Sequence, residues 1–196
     1  MLELTRPYGT SVPPYLAPST ATYVAREDWE LRGYYALRRE IFAREQGLFR
    51  GHDRDQHDAD AVPIVAVSLV AGMRDEIVGV VRIYEASDAI AEHGPGVWYG
   101  GRLGVHRRYR RQASIGAGLI RAAVTTAHAH GCQRFLATVQ EANLRYFMSH
   151  HFAPIERVAV CGVGHYLMTA DLRYFPPDRS ALAAVSATTR RRRART

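Results

Sequence analysis

Apolar residues change their spacing repeatedly along this chain, and each change predicts an element. Residues 1–20 hold Pro, Ser and Thr without an apolar period and read as a surface segment. Ala21 to Ala25 reads as a short first strand. From Asp28 to Gln46, Leu31, Tyr34, Leu37, Ile41 and Phe42 recur at the spacing of one helix face. Asp28 suits the N-cap and Gly47, free to take positive φ, suits the stop. A polar, acidic loop, GHDRDQHDAD, fills 51–60. Ile64–Val70 and Ile77–Tyr84 are strand-like runs joined through a turn at Ala71 to Glu76, which predicts an antiparallel hairpin.

A loop with Gly94, Pro95 and Gly96 then leads into an extended run, Val97–Val105. Ile115, Leu119, Ile120, Ala123, Val124 and Ala127 mark an amphipathic helix that ends at Gly131. Arg134–Val139 predicts a strand, Asn143–His150 a short helix, and Ile155–Cys161 and His165–Leu172 two final strands. No internal repeat is present. The order predicts an α/β protein of the α+β kind, a mixed sheet built from a hairpin-rich first half and a strand–helix–strand crossover. One domain is expected over 21–175, followed by a flexible, arginine-rich tail over 176–196.

Composition narrows the class. With 196 residues, 47% hydrophobic and 23% charged, the chain suits one buried core. No apolar run approaches the roughly 18 residues that span a bilayer. The opening MLELTRPYGTSVPPYL lacks the basic-then-apolar layout of a signal peptide, so a cytoplasmic protein without a membrane partner is expected. Two cysteines, Cys132 and Cys161, imply no disulfide framework. The net charge of +7 suggests nucleic acid, but Arg190, Arg191, Arg192, Arg193 and Arg195 carry most of it. Without those five, the 26 basic residues fall to 21 against 19 acidic ones. Such a run reads as a solvated tail, and nucleic acid is not the expected partner.

The chemistry concentrates where Leu103-Gly104-Val105 ends a strand and Arg110, Arg111, Gln112, Ala113, Ser114, Ile115, Gly116 and Ala117 lead into a helix. Free amides at a helix start, aided by the helix dipole, bind anionic phosphate. Gly116 and Ala117 allow close approach, and Arg110 and Arg111 can bond phosphate oxygens. Other phosphate loops fit worse: a Walker loop needs a lysine that is missing here. A dinucleotide fingerprint needs a third glycine and a later acid, both missing.

This segment resembles the GNAT superfamily of N-acyltransferases. Its signature, Arg/Gln-x-x-Gly-x-Gly/Ala behind an apolar-x-Val strand end, is filled by Arg111 to Gly116 behind Leu103-Gly104-Val105. Ser114 replaces the first glycine and would be strained if that position demanded positive φ. Asn143 occupies the place of a pantetheine-contacting asparagine, and Phe147 that of a tyrosine near the leaving thiolate. Upstream, LRREIFAREQGLF with Asp55-x-x-Asp58-x-x-Ala61 is reminiscent of acyl-homoserine-lactone synthases. The combination is similar to a bacterial subgroup linked with nitrogen-starvation gene clusters. The similarity spans roughly residues 25–172.

The resemblance implies an N-acetyltransferase that uses acetyl-CoA, with a longer acyl-CoA as the alternative, and direct transfer to a primary amine, of a small molecule or peptide, in a ternary complex. A homodimer is compatible with it. A base must take the amine proton. Glu45 either faces the acceptor or pairs with a neighbouring arginine. Glu85 and Glu141 follow strands that border the expected cleft, and His106 follows the strand before the loop. Tyr146 is the candidate acid, with core packing as its alternative. The acidic loop either favours a cationic acceptor or is solvated; its spacing fails the calcium pattern, and no metal is expected. Two alternatives keep the fold: an acyl-CoA sensor without catalysis, and an enzyme fed by acyl carrier protein.

Overall fold

The computed structural model describes residues 19–86, 96–160 and 162–177. The expected amino-terminal segment before residue 19, the loop residues Gly94 and Pro95, Cys161 and the arginine tail lie outside the described residues. Strands β1 (Ser19–Val24), β2 (Val62–Val70), β3 (Met73–Glu85) and β4 (Val97–Val105) pair antiparallel in sequence order. Helix α2 (Ala113–Ala129) then crosses the sheet and returns as β5 (Arg134–Gln140), parallel to β4. Helix α3 (Leu144–Met148) precedes the hairpin of β6 (Phe152–Val160) and β7 (Val163–Ala170), with β7 against β5 and β6 at the edge. The sheet order is β1-β2-β3-β4-β5-β7-β6, the mixed sheet expected from the sequence.

Period-two alternation in the central strands feeds two cores. Val65, Val67 and Val80 face helix α1 (Asp28–Arg38) and its Tyr34, Leu37, Ile41 and Phe42. Ile64, Ala66, Val78 and Ile83 face α2 and its Ile115, Leu119, Ile120 and Val124. No helix among the described residues is long and apolar enough to cross a membrane.

Three features differ from the sequence reading. The cap of α1 is Glu27, not Asp28, because Glu30 reaches back to accept from the amides of Arg26 at 2.7 Å and Glu27 at 2.9 Å. The β2–β3 turn is only Ala71-Gly72, both at positive φ, so β3 begins at Met73. Its exposed end carries Arg74, Asp75 and Glu76, whose polarity hid the strand, and Arg74 pairs with Glu27 at 2.8 Å and Glu30 at 2.7 Å. Beyond Arg38 the helix loosens into a π-helix over Arg39–Glu45, with Gln46 N bonding Ile41 O at 3.0 Å, before Gly47 stops it at φ +64°.

The acidic loop is largely exposed, but arginines from the body of the fold engage its Asp53, Asp55 and Asp58. Arg38, fully buried, donates from Nε to Asp53 at 2.8 Å and pairs with Asp58. Arg82 on β3 bonds Asp55 at 2.6 Å and Asp58 at 2.9 Å. Arg102 on β4 reaches Asp53 at 3.0 Å and Asp55 at 3.2 Å. Removing one member strands charge in the interior, which costs about 3–5 kcal/mol. Arg38→Ala is therefore expected to lower the unfolding free energy by about that much in urea titrations. A loss under about 1 kcal/mol, typical of an exposed pair, contradicts the account.

Candidate active site

Strands β4 and β5 stay together only briefly. Their pairing runs from Val97–Arg134 to Gly100–Ala137 and goes no further. Beyond it Gly101 to Val105 and Thr138 to Gln140 border a shared cavity of about 800 Å³. The parting coincides with a bulge, since Val80 pairs with Gly104 but Arg82 pairs with Gly101, leaving Arg102 and Leu103 opposite one residue. Arg102 sits in the left-handed region at φ +55°. Its guanidinium holds that bend by bonding the Asp53 carbonyl at 3.0 Å and lying 4.5 Å over the Phe49 ring. Gly104 is needed for a different close approach, because a Cβ there would lie 2.7 Å from Ile41 of the π-helix.

A short 3-10 turn, Arg107–Tyr109, carries the chain from β4 to the start of α2. The amide of Gln112 bonds Tyr109 O at 2.9 Å and that of Ile115 bonds Gln112 O at 3.2 Å. The amides of Ala113 and Ser114 have no protein partner among the described residues, so these two remain for an anion. The Ile115 amide is used within the protein, and its side chain lies in the core. Ser114 carries no strain, because it is an ordinary second residue of the helix with negative φ. Ala117 does not line the cavity.

The two arginines separate in role. Arg110 donates from Nε to Val105 O at 2.9 Å and pairs with Glu45, so its charge is engaged by the protein. Arg111 is exposed without a protein partner among the described residues, as are the side chains of Arg107 and Arg108. These three cations flank the free amides.

The cavity has two unlike walls. Toward α2 it is apolar, with Ala123, Val124, Phe135, Ala137, Phe147 and Phe152. Toward α1 the polar Gln46, Asp55, Arg82, Arg102, Gln140 and His165 stand beside the apolar Ile41, Phe42 and Phe49. None of the three glutamates proposed from sequence reaches it. Glu45 is tied to Arg110, and Glu141 pairs with Arg157 at 3.0 Å. Glu85 lies opposite Trp98 at the other end of β4, away from the split. His106 faces Glu40 at 3.8 Å, off the cavity.

The cavity does gather Tyr146, Asn143 and Phe147. Tyr146 packs its hydroxyl on Gly116, where a Cβ would lie 2.5 Å from Oη, so only glycine leaves it room. That hydroxyl makes no hydrogen bond to the described residues, and burial pushes its pKa above the ordinary value, which keeps it a donor. Phe147 turns into the core, edge-on to Phe152 at 5.2 Å. His165 was missed from sequence because an isolated histidine in a strand carries no motif.

Residues 23–152 match the acetyltransferase (GNAT) family. The chain belongs to that family. Escherichia coli ElaA shares its fold at 20% identity with a TM-score of 0.62, covering 79% of this chain and all (100%) of the other. An acyl-CoA N-acyltransferase from Pseudomonas aeruginosa aligns at 18% identity and TM-score 0.60, covering 79% and 100%. BjaI, a CoA-dependent acyl-homoserine lactone synthase solved with SAM and isopentyl-CoA, aligns at 20% identity and TM-score 0.57, covering 87% and 88%. No curated protein matches the sequence. The family's donor is acyl-CoA, and the α2 start offers an anion two amides and three arginines that are unpaired among the described residues. Arg111→Ala is expected to weaken acyl-CoA binding about tenfold at low salt and less at high salt, by calorimetric titration. An affinity unchanged at both ionic strengths contradicts anion binding there.

Proposed function

We propose that this protein moves an acyl group from acyl-CoA to a primary amine of a small molecule or peptide by direct attack in a ternary complex. The observation that carries this reading is the parting of β4 from β5 beside a helix start with two free amides. A pantetheine arm entering there runs between the strands, with its diphosphate at Ala113 and Ser114 and Asn143 beside it. The backbone amides of Gly101 to Val105 that point away from β3 have no β5 partner and face the thioester carbonyl; each such donor aimed at a developing oxyanion is worth about 3–4 kcal/mol. Tyr146 supplies a proton to the departing thiolate, standing in for the tyrosine that Phe147 replaces.

The donor is an acyl-CoA whose chain exceeds acetyl. The apolar wall of Ala123, Val124, Phe135, Ala137 and Phe152 continues below the split and offers a chain a water-poor chamber. Burial of each added CH₂ contributes about 0.8 kcal/mol until the chamber is filled. Acetyl-CoA fits the same site but leaves this surface unused. Likeness to BjaI, described with isopentyl-CoA, accords with the longer donor.

The acceptor enters from the polar wall. Because Asp53, Asp55 and Asp58 are engaged by arginines, recognition there rests on hydrogen bonding rather than on a net negative field.

Thiol release measured with donors from acetyl to octanoyl and a panel of primary amines tests the reading. Amine-dependent release is expected, with kcat/KM rising from acetyl to mid-length chains. Tyr146→Phe should lower kcat about 10- to 100-fold with donor affinity retained. Donor binding without amine-dependent release makes the protein an acyl-CoA sensor instead.

A further inference from the structure

On the acyl-transfer reading, the attacking amine must lose a proton, and the carboxylates offer no acceptor for it. Asp55 is the one carboxylate lining the cavity among the described residues. Burial alone would raise its pKa, but hydrogen bonding and charge from Arg82 and the charge of Arg102 outweigh that and hold it below the ordinary range. A carboxylate so held is a weak base.

We propose that His165 is the catalytic base, taking the amine proton on Nε2. The residue lies on β7 opposite Gln140 of β5 and Val158 of β6, and is 6% exposed. Its Nδ1 is 2.8 Å from the carbonyl oxygen of Val163. A carbonyl oxygen only accepts, so the hydrogen sits on Nδ1 and the Nε2 lone pair is left open. Nε2 has no hydrogen-bond partner among the described residues, and the ring lines the cavity. This is the base–orienter arrangement, in which a fixed second group holds the ring and selects the tautomer.

Position supports the role. Directly opposed residues of antiparallel strands share a face, so His165 shares that of Gln140, whose amide donates to Gln46 at 3.4 Å beside the end of the π-helix. That is the polar side, across from the apolar chamber. It is also level with Thr138 to Gln140, the part of β5 that no longer pairs with β4. The other histidine on the wall, His57, stacks on Tyr84 at 4.3 Å, where β3 and β4 are still regularly paired.

In the step, the amine nitrogen attacks the thioester carbonyl carbon and the C–N bond forms. The proton leaving nitrogen passes to Nε2 of His165. The C–S bond breaks, and the thiolate takes the hydroxyl proton of Tyr146. Imidazolium and tyrosinate are restored by proton exchange with solvent.

Two variants separate chemistry from structure. His165→Asn keeps a donor for the Val163 carbonyl without the base, and His165→Ala opens space for free imidazole. Both are expected to lower kcat/KM about 10²- to 10³-fold with donor affinity within twofold of wild type, and added imidazole should restore part of the His165→Ala loss. Turnover by His165→Asn near the wild-type rate overturns the assignment while leaving the acyl-transfer reading intact. Loss of donor affinity with turnover, and no response to imidazole, assigns a structural role and overturns it too. Wild-type protein that binds donor but releases no thiol with any amine removes the acyl-transfer reading, and this role with it.

Discussion

The structure depends on one bend in one strand. Arg102 is held at φ +55°, a conformation that costs a non-glycine residue about 1–2 kcal/mol. What offsets that cost is the side chain: Asp53, Asp55 and the face of Phe49 all receive the guanidinium. The bulge bends β4 away from β5, and the loss of pairing beyond Gly100 produces both the cavity and the backbone groups that face it. The acidic loop is therefore a clamp rather than a recognition surface. Asp53, Asp55 and Asp58 of that loop fix Arg38 on the helix, Arg82 on β3 and Arg102 on β4 in a mutual arrangement that tolerates no missing member.

From that clamp the division of labour follows. The sheet separates an apolar chamber under α2 from a polar wall under α1, and the opened strands are where the two communicate. A thioester lying in the opening has hydrocarbon on one side and proton-accepting groups on the other. Tyr146 and His165 reach the cavity from α3 and β7; in the roles proposed for them, the proton delivered to sulfur and the proton removed from nitrogen do not compete for one group. The π-helix at the end of α1 belongs to the same design, since it carries Ile41, Phe42 and Gln46 to the rim.

Local patterns in the sequence revealed the elements well. The apolar run Ile64–Val70 and the helical spacing from Ile115 to Ala127 located β2 and α2 within a residue or two, because β2 is buried on both faces and α2 along one. The run Leu103 to Gly116 located the passage from β4 into α2, because strand end, turn and helix start are contiguous in the chain. Long-range pairings were illegible. Arg102 binds a loop 47 and 49 residues earlier, and Glu45 meets an arginine 65 residues later. Without those partners the aspartates looked free, and which arginine would take Glu45 could not be read. His165 depends on a carbonyl two residues away and on a neighbouring strand, neither of which leaves a mark in composition.

The most direct test is a crystal structure of the protein with a hydrolysis-resistant acyl-CoA analogue. The account predicts the diphosphate on the amides of Ala113 and Ser114, the pantetheine between Gly101–Val105 and Thr138–Gln140, and the acyl chain among Val124, Phe135 and Phe152. A diphosphate bound elsewhere, or β4 and β5 closed into continuous pairing with the ligand outside them, contradicts it.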